Sequence, residues 1–104
     1  MSVTEVVRQC KRALENYYGS QFKGLILYGS FARNHASTES DIDLLVLLCR
    51  PFDYGQELHR IIELLYPVQL ESDHLISAKP APLEDFDHGI LQLYRNAKRE
   101  GVHV

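Results

Sequence analysis

The sequence predicts an α/β (α+β) domain, a small mixed sheet of three to four strands with helices packed on it. Three observations predict it. Two short continuous apolar runs, Leu25–Tyr28 and Leu44–Leu48, read as strands covered on both faces. Longer stretches around them place apolar residues at helical spacing. Glycines and prolines punctuate the boundaries and give the order αβαβαβα, which needs helices layered on a sheet.

The elements follow in chain order. Residues 2–18 form an amphipathic helix, with Ser2 and Glu5 matching a capping box and Thr4 a rival cap. Val3, Val6, Val7, Cys10, Ala13, Leu14 and Tyr17 make its buried stripe. Gly19 supplies a left-handed stop. Lys23–Tyr28 is the first strand, Ser30 to about His35 a short helix, and Ala36–Ser40 a polar loop. Asp41–Cys49 is the second strand, ended by Pro51. Asp53 caps a helix that runs to about Tyr66, with Leu58, Ile61, Ile62 and Leu65 inward and Pro67 as its stop. Val68–Ser77 reads as a third strand, Ala78–Pro82 as a turn or linker, and Leu83 to about Lys98 as a helix broken near His88-Gly89. Gly101 ends it, leaving a short tail.

With 104 residues the chain is expected to be one domain, 1–104, with one core. A composition of 45% hydrophobic and 24% charged residues is ordinary for a soluble domain. The net charge of −3 supplies no global basic field, so direct nucleic-acid binding is not expected. No apolar run approaches the ~20 residues that span a bilayer, and the N-terminus lacks a signal-peptide pattern. Cys10 and Cys49 lack metal-type spacing and read as buried free thiols, which suits a reducing cytoplasm. The five histidines share no ligand spacing, which argues against zinc.

The chemistry gathers between the two apolar strands. Asp41 and Asp43 alternate on one strand, so both leave the same face with Cα atoms ~6.5–7 Å apart. Two carboxylates so placed repel unless a cation lies between them, and hard oxygen ligands suit Mg²⁺. Asp73 and Glu71 are candidates for a third carboxylate on the next strand, with Asp73 preferred. Gly29 lets backbone approach a phosphate closely, and Ser30 offers an amide and a hydroxyl at a helix N-terminus. The stretch is neither a Walker A loop nor an EF-hand. A Gly-Ser turn or an Asp-x-Asp alone is usually an ordinary turn or a solvated strand end. Their chance coincidence at this spacing is on the order of 10⁻³.

Gly29-Ser30, ten residues, then Asp41-x-Asp43 resembles the defining motif of the DNA polymerase β-type nucleotidyltransferase superfamily. The run Leu27-Tyr28-Gly29-Ser30-Phe31-Ala32-Arg33, followed by Ser40-Asp41-Ile42-Asp43-Leu44-Leu45-Val46, is similar to its minimal nucleotidyltransferase branch. Leu93–Val102 also resembles the ends of the members that accompany HEPN-domain toxins. The resemblance implies the polymerase β-like fold and a cytoplasmic antitoxin that transfers AMP from ATP to a tyrosine of a HEPN ribonuclease. It implies that Gly29 and Ser30 hold the triphosphate. Arg33, on the short helix beside them, and Ser40 are further candidates for nucleotide contact, with a partner contact or a surface salt bridge as the other readings of Arg33. It implies that Asp41 and Asp43 are catalytic and bind two Mg²⁺ ions, and that a third acid, Asp73 or Glu71, helps activate the attacking hydroxyl, with Asp73 preferred to complete the catalytic and metal set. Asn34 stands where the family usually has glycine, and asparagine tolerates positive φ better than most residues. Two other readings fit the same residues: an antitoxin that neutralises by binding alone, and a nucleotidyltransferase acting on a small molecule.

Overall fold

The strand Ile42–Leu48 (β2) alternates its side chains between two apolar faces, and it is the centre of the molecule. In the computed structural model, which describes residues 1–104, β2 lies between Phe22–Tyr28 (β1) and Ile76–Pro82 (β3). Val102–His103 (β4) completes a sheet in the order β3-β2-β1-β4. β2 runs antiparallel to β1 and parallel to β3, and β4 runs antiparallel to β1. The parallel pair requires a crossover, which the helix Tyr54–Leu70 (α2) provides.

Each face has its own core. Ile42, Leu44, Val46 and Leu48 pack with Val6, Val7, Cys10 and Leu14 of the helix Val3–Tyr18 (α1) and with Ile61, Leu65 and Val68 of α2. On the other face, Leu45 and Leu47 meet Phe86 of Leu83–His88 (α3) and Tyr94 and Ala97 of Gln92–Glu100 (α4). Apolar area on both sides of β2 leaves the sheet, rather than any helix, as the structural reference. The Ser2 hydroxyl accepts from the Glu5 amide and the Asp53 carboxylate from the Gln56 amide, so both expected caps form.

Four boundaries differ from the sequence reading. Pro67 does not stop α2, which continues to Leu70. Pro67 lies on the exposed side near the helix end, where the missing amide bond leaves a carbonyl facing water, while Val68 extends the buried stripe. The third strand is Ile76–Pro82 rather than Val68–Ser77, so the expected linker Ala78–Pro82 is itself strand. Pro80 and Pro82 are two apart on an edge strand, so their missing donors both face the open edge and the ladder to β2 survives. Gly29–Asn34 is a sequence of turns and not a helix; the Arg33 amide donates to the Gly29 carbonyl and the His35 amide to the Ser30 carbonyl. The expected tail pairs with β1 as β4, which covers an otherwise bare edge. The break at His88-Gly89 is present, with Gly89 left-handed at φ 61°. No helix is long and apolar enough to cross a membrane.

Candidate active site

β1 ends where β2 begins, and the pairing register sets Tyr28 directly beside Asp43. The chain leaves β1 through Gly29 at φ 76°. A Cβ on Gly29 would collide with the Asp43 carboxylate, so the missing side chain is what lets the turn and the carboxylate share this space. Asn34 also takes a left-handed conformation, φ 59°, as its position in the turn demands.

The loop after the turn is fastened at three points. The Ser40 hydroxyl accepts from the Ser37 amide at 2.8 Å. The Ser40 carbonyl lies 2.8 Å from His74 Nδ1. The His74 ring meets Phe31 edge to face, with centroids 4.9 Å apart. Ser40, a sequence candidate for nucleotide contact, thus has its hydroxyl committed to loop structure. His74 is a support that sequence reasoning missed, since only the fold brings it to residue 40.

Asp41 is exposed at the entry to β2, and Asp43 is half-buried on the same face as Leu45 and Leu47. Neither takes part in an ion pair. Burial pushes the Asp43 carboxyl above its usual range, and the neighbouring Asp41 adds to the rise. Lys79 and Arg33 pull it back down by a smaller amount. The Tyr28 phenol is pushed up to about 12, first by burial, then by Asp43 and Tyr54. This donor set, two hard oxygen ligands on one face that make no ion pair, fits a divalent cation that retains water or phosphate oxygens.

The other candidates are less concentrated. Arg33 makes a salt bridge with Glu100 at the end of α4, 3.2 Å apart. Asp73 and Glu71 are exposed and precede β3, which begins only at Ile76. The expectation that they share a strand face beside the pair is therefore not met. No three acidic, histidine or cysteine side chains gather as a metal site. β3 instead sets Ser77 beside Asp43 and Lys79 beside Leu45. Lys79 went unnoticed in the sequence because its segment reads as a proline-rich linker.

Comparison with known proteins agrees with this architecture. Residues 7–100 match the family model described as "Nucleotidyltransferase domain". The chain is 34% identical over 83 residues to "Putative protein adenylyltransferase MJ0604" of Methanocaldococcus jannaschii, covering 76% of this chain and 83% of that protein. It is 30% identical over 77 residues to "Putative protein adenylyltransferase MJ0141" of the same organism, covering 74% of this chain and 77% of that protein. The chain belongs to the nucleotidyltransferase domain family and is a nucleotidyltransferase.

Proposed function

We infer that the protein transfers AMP from ATP to a tyrosine hydroxyl of a protein partner, a cognate HEPN-domain toxin, and thereby acts as its antitoxin. The observation that carries a macromolecular acceptor is the openness of the site. None of the surface cavities is lined by Gly29, Ser30, Asp41 or Asp43, and the largest, about 330 Å³, lies between α1 and the β1–β4 edge. An acceptor that brings its own walls supplies what this chain lacks. The names of the two relatives, each a "Putative protein adenylyltransferase", support a protein acceptor.

In this reading Gly29 and Ser30 approach the triphosphate with backbone amides and the Ser30 hydroxyl. Arg33 stands near enough to favour the charged form of Asp43, and it reaches a phosphate if it leaves Glu100. Asp41 and Asp43 would hold Mg²⁺, which when bound offsets triphosphate charge and polarises the transferred phosphoryl group. A bond forms between the acceptor oxygen and the α-phosphorus as the bond to the leaving pyrophosphate breaks. Pyrophosphate takes the electron pair, and the hydroxyl proton passes to solvent. No carboxylate on β3 stands ready as a base, which favours a phenolic acceptor, pKa about 10, over a far less acidic aliphatic hydroxyl.

The test is mass spectrometry of the co-expressed toxin. A mass gain equal to one or more AMP groups, absent with Asp41→Ala or Asp43→Ala, is the expected result. An unmodified toxin that is still neutralised by Asp41→Asn/Asp43→Asn protein would mean neutralisation by binding alone.

A further inference from the structure

The catalytic face of the sheet carries one cation that no carboxylate engages. β2 and β3 are parallel and in register, so partners across the pair point to the same side. Asp43 faces Ser77, and Lys79 is the next residue on β3 that shares this face. Lys79 is only partly exposed, and it takes part in no side-chain hydrogen bond or ion pair. Its charge nonetheless reaches Asp43. Arg33, the other cation felt there, is occupied by Glu100. An ammonium that no protein acceptor engages is free to donate to an anionic ligand, and a charge-assisted hydrogen bond to a phosphate is stronger than a neutral one.

The sheet order fixes where such a ligand would meet it. Gly29 and Tyr28 lie on the β1 side of Asp43, and Lys79 lies on the β3 side. A triphosphate that rests its far end on the Gly29 turn crosses Asp43 and directs its nucleoside end toward β3. We propose that Lys79 is a phosphate-binding catalytic residue whose ammonium contacts the α-phosphate of bound ATP from the β3 side, opposite the Gly29 turn. This rests on the nucleotide-transfer reading above. Lys79 occupies the side of the site where a third carboxylate was expected, so positive charge there comes from the chain itself.

The experiment is calorimetric titration of the full chain with α,β-methylene-ATP and Mg²⁺, with thermal melts to confirm folding. Lys79→Ala should weaken binding by about 10- to 100-fold, the loss of one charge-assisted hydrogen bond. Lys79→Arg should recover part of it, and Lys98→Ala on α4 should match wild type. Unchanged affinity in folded Lys79→Ala protein overturns the proposal and leaves Lys79 as a charge guarding an edge strand. If Lys79→Ala does not fold, Lys79→Gln and Lys79→Arg decide it: equal affinity in both overturns it, and tighter binding by the arginine variant supports it. A wild-type chain that binds no nucleotide overturns this proposal together with the function on which it rests. Binding that is normal in wild type and indifferent to residue 79 removes the proposal alone.

Discussion

The Asp43 carboxylate occupies the volume that a side chain on Gly29 would need. The Gly29 turn and the Asp41/Asp43 pair are therefore one packing unit across two adjacent strands, which a side chain on Gly29 would break.

Gly29→Ala should damage both halves of that unit. Positive φ costs a residue with a Cβ about 1–2 kcal/mol before the clash with Asp43 is counted. The expected outcome is a Tm lower by roughly 5–10 °C and nucleotide affinity reduced by more than about 10-fold. Melting curves and calorimetry check the two effects separately.

Asp43→Asn should abolish transfer yet stabilise the metal-free fold. The Asp43 pKa is raised in the folded state, so folding binds its proton more tightly than the unfolded chain does. Its contribution is most favourable below the ordinary value near pH 4 and declines as pH rises through the raised folded value. Tm of the variant and wild type should therefore coincide near pH 4 and separate by a few degrees at pH 7, the variant higher. Solvent screening of this half-exposed group keeps the gap at or below the order of 1 kcal/mol. A wild type that is the more stable of the two at pH 7 without metal would contradict the account.

Glu100→Gln should release Arg33. The pair is exposed, so stability should change by less than about 1 kcal/mol. If Arg33 reaches phosphate once freed, affinity for α,β-methylene-ATP should rise by about 2- to 5-fold. Weaker binding in the variant would show that Glu100 instead holds Arg33 in its useful position.

Leu45→Ala should be the costliest of these changes. Leu45 is fully buried in the central strand under Phe86, Tyr94 and Ala97. Truncation should cost about 2–5 kcal/mol, a large share of the 5–15 kcal/mol typical of small domains. Urea denaturation should show a lower midpoint with an unchanged slope.

The parts of the fold that were legible in the sequence are those where local pattern and burial agree. β1, β2, α1 and the caps Ser2 and Asp53 stand where the apolar spacing sets them. β3 was misplaced because its prolines read as a linker, and only its position at the sheet edge makes them tolerable. The same error hid Lys79 and put Asp73 on a strand it does not join. Asp41, Asp43, Gly29 and Ser30 were visible as a spaced motif within one short stretch. His74 and Glu100 were not, because each meets the loop through contacts 34 and 67 residues away in sequence.

Asp43 stands on β2, an interior strand paired along its length with β1 on one side and β3 on the other. Amides of Ile42–Leu48 should then exchange with solvent only when the whole molecule opens. If they do, the carboxylate is carried by the slowest-opening part of the chain, with motion left to the turns around it. Little entropy need be surrendered to assemble this half of the site when a nucleotide arrives, so the rate of capture should be set by diffusion and loop adjustment rather than by ordering of the sheet.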